Sequence, residues 1–159
     1  MKQITEQEAY LRLAALCAQA EHCQYEMQEK MRRWEFSKEA QARVMQRLVT
    51  ERYVDDERYA RAFIKDKVRY NKWGRRKVEQ ALWAKHIDED IRQRVLDEVD
   101  DEEYIAVLRP LLQQKRKSTK ANSDYELNGK LIKFAMSRGF TMDIIKQCIN
   151  VTDEDEFLD

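Results

Sequence analysis

The strongest constraint on this chain is that it repeats itself. The stretch DDERYARAF, from Asp55, returns as DDEEYIAVL from Asp100 with Asp, Asp, Glu and Tyr at matched positions, and EQEAYLRLA near the amino terminus is a fainter copy. A second element recurs beside it. WEFSKEAQARVM from Trp34, KHIDEDIRQRVL from Lys85 and RGFTMDIIKQCI from Arg138 each set an apolar residue, Phe36, Ile87 or Phe140, directly before Ser37, Asp88 or Thr141. A unit of about fifty residues is marginal alone and has to bury part of its apolar surface against a neighbour, so the chain is restricted to tandem-array architectures.

The units are helical. Apolar residues recur three or four apart at Met27, Met31 and Trp34, at Ala40, Val44 and Leu48, at Ile91, Val95 and Val99, and at Leu127, Leu131 and Phe134, and no stretch alternates as a strand does. Three glycines and one proline fall far below the usual ~7% and ~5%. Ser37, Asp88 and Thr141 suit helix N-caps, whose oxygens accept from the unpaired N–H groups of the first turn, and the apolar residue before each suits a hydrophobic staple. The expectation is an all-α fold of three tandem three-helix repeats, about nine helices, in an elongated, curved array. The repeats are predicted at 1–53, 54–99 and 100–151, with 152–159 an acidic tail expected to be disordered. Gly74 and Gly139 are read as helix stops. Pro110, inside the helix begun near Asp101, is expected to kink or restart it.

Several function classes drop out. No apolar run approaches the ~18 residues of a membrane span, and the start MKQITEQEAY has no apolar signal region. A cytoplasmic monomer is expected. Cys17, Cys23 and Cys148 are an odd number of cysteines, read as reduced core thiols. Cys17, His22 and Cys23 lack a second metal knuckle, and Asp55 with Asp56 reads as a helix start rather than a catalytic pair, so no metal and no cofactor are expected. With no phosphate loop, dinucleotide glycines, nucleophile elbow or zinc-helix motif, an enzyme is not expected.

Charge is balanced in total, 30 basic against 30 acidic residues, but it is segregated. Residues 65–77 hold seven basic side chains against Asp66, while 97–103 hold six acids. On a helix begun after Asp55, Arg58, Arg61, Lys65, Arg69 and Lys72 share an arc of about 80° with no acid in it. Tyr59, Ala62, Phe63 and Tyr70 fall on a neighbouring arc suited to packing, extended by Ala60 and Ile64. A solvated face more often mixes signs to gain i,i+4 pairs, and a run of like charge is tolerated when an anionic partner compensates it. Arg75, Arg76 and Lys77 extend the stripe around a turn. Lys115, Arg116, Lys117 and Lys120 form a second, weaker candidate cluster. A stand-alone nucleic-acid-binding helical module and a scaffold for another protein are both open on these grounds.

The order and spacing of VDDERYARAFIKDKVRYNKWGRRKVEQAL, preceded by SKEAQARVMQRL and followed by KHIDEDI, resemble the RecX family of bacterial recombinase regulators. The likeness lies in Asp55, Asp56, Tyr59 and Ala60, the basic helix through Arg69, the Gly74–Arg76 turn, Leu82 before Ile87, and Arg138, Gly139 and Phe140 in KLIKFAMSRGFTMDII. It spans residues 5–150. Where family members commonly carry an Arg-rich run and a serine cap, this chain has AQAEHCQYEM from Ala18. The resemblance implies tandem three-helix repeats. It also implies a non-enzymatic modulator, mainly an inhibitor, that binds the RecA filament on single-stranded DNA, with duplex DNA a further partner, and lowers its ATPase and strand exchange in recombination and repair. The eight basic residues from Arg58 to Lys77 named above are the surface this reading selects.

Overall fold

A computed structural model describes residues 3–149, and within them the chain forms nine α-helices and no strand. They are α1 (Glu6–Gln19), α2 (Gln24–Arg33), α3 (Lys38–Thr50), α4 (Asp56–Arg69), α5 (Arg75–Ala84), α6 (Glu89–Leu96), α7 (Asp101–Ser118), α8 (Asp124–Ser137) and α9 (Met142–Cys148). The all-α fold expected from the periodicity is the one adopted. The acidic tail anticipated at 152–159 lies outside the described residues.

The described residues fall into two compact units, one of 3–63 with 82–95 and the other of 64–81 with 96–149. In the first, α3 packs on both α1 and α2. Tyr10, Leu13, Met27, Met31, Val44 and Leu48 form its core, with Trp34 and Phe36 half-buried against it. In the second, α7 packs on α8 and α9, burying Leu108, Leu112, Leu131, Ile132, Ile144 and Ile145, while Tyr104 meets Phe140 edge to face at 6.5 Å. The repeated tyrosines Tyr10, Tyr59 and Tyr104 are all buried. Burial is the main cause that raises the phenols of Tyr59 and Tyr104, the latter to about 12.

The repeated element around Phe36, Ile87 and Phe140 is a helix exit fused to a helix entry. After α2, α5 and α8 the chain takes a left-handed residue, Glu35, His86 or Gly139, with φ of 60°, 59° and 94°. The next residue is the apolar one, and its N–H reaches back five positions: Phe36 to the Met31 carbonyl, Ile87 to Leu82 and Phe140 to Ala135, at 3.1 to 3.2 Å. These are Schellman closures, which satisfy carbonyls left over at a helix end. Arg52 and Tyr53 close α3 in the same way. The apolar residue, buried at Ile87 and Phe140 and half-buried at Phe36, thus serves the old helix and precedes the cap of the new one. Ser37 caps α3 as expected, its Oγ accepting from the Ala40 N–H at 3.1 Å. Thr141 occupies the same position on α9 without a side-chain cap bond.

The aspartate pair divides its work. Asp55 accepts from the Arg58 N–H at 3.0 Å and caps α4, as predicted, but Asp56 accepts from the Gln24 N–H at 2.9 Å, the first residue of α2. Asp56 therefore satisfies the N–H at the first position of α2, beside a cap at Cys23 whose own N–H donates to Glu26 at 3.1 Å. The Cys23 thiol is fully buried, and that burial pushes it up to about 12. Cys17 approaches the Met27 sulfur at 3.8 Å. Both sit as core thiols.

Two expectations need adjusting. Of a kink or a restart at Pro110, the restart does not occur, since α7 runs through it from Asp101 to Ser118. Pro110 and Ala106, one turn earlier, are exposed, so the carbonyl that loses its donor faces the solvent side. The packing stripe of α4 is Tyr59, Ala60, Ile64 and Val68, whereas Ala62 and Tyr70 are exposed. Tyr70 lies just past Arg69, the last residue of the helix.

Candidate nucleic-acid interface

In the first unit, Arg58 and Arg61 are both engaged. Arg58 Nε donates to Glu21 Oε1 at 2.7 Å, and its Nη2 donates to the Arg52 and Tyr53 carbonyls at 3.0 and 3.3 Å. Arg61 lies 3.5 Å from Glu57, one turn back on its own helix. Glu57 also pairs with Arg94, and the two guanidiniums, Arg94 first, hold its carboxyl below the ordinary range. The helical arc looked free of acids because Glu21 belongs to another element and Glu57 lies just outside the arc.

The second unit holds the remaining predicted residues. Lys65 and Arg69 are exposed on the last turns of α4, and their side chains pair with no carboxylate among the described residues. Lys72 lies beyond the helix at φ 59° and donates from Nζ to the Arg69 carbonyl at 2.9 Å. It is Lys72 that takes the left-handed position expected of Gly74. The glycine answers a different need. A Cβ on Gly74 would stand 2.4 Å from the Phe140 nitrogen and 2.5 Å from the Gly139 carbonyl carbon. The α4–α5 turn is pressed backbone to backbone against the α8–α9 turn, with the Gly74 N–H on the Arg138 carbonyl at 2.8 Å and the Arg76 N–H on the Gly139 carbonyl at 3.0 Å. Gly139 reciprocates, since a Cβ there would lie 2.5 Å from the Lys77 nitrogen.

This docking brings cations from separate parts of the sequence together. Arg75 pairs with Asp97 at 2.7 Å, Arg76 is exposed, and Lys77 lies over the Trp73 ring at 4.8 Å, with Lys67 over the same ring at 5.4 Å. Arg138, whose carbonyl receives Gly74, stands 5.1 Å from the Phe134 ring, and Lys115 of α7 stands 4.9 Å from it. Phe134 therefore joins the head of the second basic cluster to the glycine turn. Arg116 donates to Asn128 at 3.3 Å, while Lys117 and Lys120 are exposed. Arg138 and Lys67 were not among the predicted residues. The i,i+4 spacing of Phe134 and Arg138 was the available signal.

Chemically the second unit presents exposed ammonium and guanidinium groups around a backbone-locked turn, an arrangement suited to phosphate oxygens rather than to bond making. Among the described residues no group of three or more His, Cys, Asp or Glu side chains is placed to hold a metal, and no helix is long and apolar enough to cross a membrane.

A helical-repeat protein with a cationic turn is the class that this fold and site define. Models of the second and third three-helix domains of RecX match residues 55–96 and 101–149, and the chain belongs to the RecX family. It is similar to a protein named regulatory protein RecX from Lactobacillus delbrueckii subsp. bulgaricus, 30% identical over 135 residues, covering 82% of this chain and 50% of that one. One of the same name from Bacillus cytotoxicus is 24% identical over 150 residues, covering 94% of this chain and 56% of its own. The chain thus spans about half the length of the curated relatives it matches. The crystal structure of RecX from Lactobacillus salivarius shares the fold, with a TM-score of 0.81 at 18% identity over 90% of this chain and 93% of that one.

Proposed function

We propose that this protein is a non-enzymatic regulator, chiefly an inhibitor, of the RecA recombinase, acting as a cytoplasmic monomer on the RecA filament assembled on single-stranded DNA. The observation that carries the reading is membership of a family whose curated relatives are named regulatory proteins. The exposed cations of the second unit supply what such a target needs. Lys65, Arg69, Lys72 and Arg76 have no carboxylate partner among the described residues, so an anionic groove would compensate charge that the chain leaves uncompensated. Arg75 and Lys77 add to that field from the start of α5, and Arg58 and Arg61 belong to the wider basic surface while engaged with carboxylates of their own.

Titrating the protein into a cognate RecA filament on single-stranded DNA tests this reading. DNA-dependent ATP hydrolysis falls as the protein is added, and reversing Arg69, Lys72 and Arg76 to Glu weakens the inhibition while helical circular dichroism is unchanged. Absence of inhibition at low salt overturns it. DNA binding without any effect on hydrolysis would identify a stand-alone nucleic-acid-binding module instead.

A further inference from the structure

Two aromatic residues flank the α4 exit, and the structure treats them differently. Trp73 is half-buried and carries a lysine over its ring from Lys67 and another from Lys77, so it anchors the turn. Tyr70 is 72% exposed, more than any other large apolar side chain described. Its backbone is nevertheless fixed, because its N–H still bonds to the Asp66 carbonyl at 2.8 Å. Neither its ring nor its hydroxyl engages a described residue. A solvated ring on a fixed stretch of backbone has a surface to give, and only its side-chain torsions remain to be ordered on binding.

Its surroundings indicate what it takes. Arg69 precedes it, Lys72 follows two residues on and Lys65 lies one turn and a fraction back, all exposed. The one nearby acid on this segment, Asp66, lies 3.8 Å from Lys67. An aromatic face set among cations with regular spacing along the chain matches the two needs of an unpaired strand, a π-surface for the base and positive charge for the phosphates on either side. Duplex DNA offers the phosphates but keeps its bases stacked inside.

We propose that Tyr70 is a stacking platform for one unpaired base of single-stranded nucleic acid, with Lys65, Arg69 and Lys72 holding the flanking phosphates. The inference rests on the cationic-surface reading above. Fluorescence anisotropy at low salt with labelled oligo(dT) and with an abasic strand of equal length tests it. Tyr70→Ala is expected to weaken oligo(dT) binding by about 5- to 150-fold and to leave abasic binding and the melting temperature unchanged, while Tyr70→Trp retains oligo(dT) binding. Equal affinity of wild type and Tyr70→Ala for oligo(dT), or an equal loss on both strands, overturns the assignment. So does a wild-type protein that inhibits RecA but binds neither strand, a result that leaves the filament reading standing.

Discussion

At the scale of single residues, Asp56 shows how a motif that looks local takes a distant partner. Burial is the largest influence on its carboxyl and raises it above the ordinary range, reinforced by Asp88 and Asp55, while the hydrogen bond from Gln24 pulls the other way. A carboxyl that titrates higher in the folded than in the unfolded chain holds its proton more tightly when folded. The stability it contributes is therefore present at low pH and lost as pH rises through the folded value. Asparagine accepts the same N–H without a charge to desolvate, so Asp56→Asn is expected to melt at a higher temperature than wild type at pH 7. The difference should shrink as the pH falls below the folded value and the aspartate becomes neutral too. Asp56→Ala leaves the Gln24 N–H bare and is expected to cost about 0.5–2 kcal/mol. Thermal unfolding followed by circular dichroism at both pH values decides it, and an asparagine variant less stable at pH 7 would show that the charge contributes on balance. That the aspartate pair starts α4 was legible from spacing alone. That its second member serves α2 was not, because the contact joins residues thirty-two positions apart.

At the scale of elements, the helices were legible because their periodicity is local, and their exits were less so. Four exits use the same left-handed closure, yet only Gly139 among them carries the residue type that announces it. Glu35, Arg52 and His86 accept the same backbone at a steric cost of about 1–2 kcal/mol each, so the sequence hides a repeated turn behind unrelated side chains. Gly74 misleads in the opposite direction, being a glycine kept for space rather than for torsion angle. The neighbours of its missing Cβ are backbone atoms, which cannot rotate away. Gly74→Ala therefore forces the two turns apart and is expected to destabilise by about 1–3 kcal/mol, lowering the melting temperature by ~2–4 °C per kcal/mol for a chain of this size. Gly139→Ala meets the Lys77 backbone and adds strain at φ 94°, and should cost at least as much. Urea denaturation of both variants provides the measurement. A Gly74→Ala protein as stable as wild type would mean that the turns do not hold each other at this distance.

At the scale of the whole molecule, a net charge of zero conceals which cations are available. The sequence grouped Arg58, Arg61, Lys65, Arg69 and Lys72 as one face, and structure divides them by partner. Arg58 answers Glu21, whose other carboxylate oxygen is already buried without a partner among the described residues, so its charge serves the fold of the first unit. Lys65, Arg69, Lys72 and Arg76 pair with no carboxylate among the described residues, Lys72 donating only to the Arg69 carbonyl. Counterion release turns this division into a measurable slope, because each single-strand phosphate neutralised contributes about −0.7 to the dependence of log affinity on log salt. Four such contacts give a slope near −2.8 and a loss of about fifty-fold between 50 and 200 mM salt. Reversing Arg69, Lys72 and Arg76 together should flatten the slope by about 2 or more with the melting temperature intact. Arg58→Ala should do the reverse, lowering the melting temperature by stranding Glu21 while leaving the slope where it was. Oligonucleotide titrations across a salt series, paired with thermal melts of the same samples, separate the two. A slope that responds to Arg58 as strongly as to Arg76 would show that carboxylate pairing in the isolated protein does not decide which cations reach the phosphates.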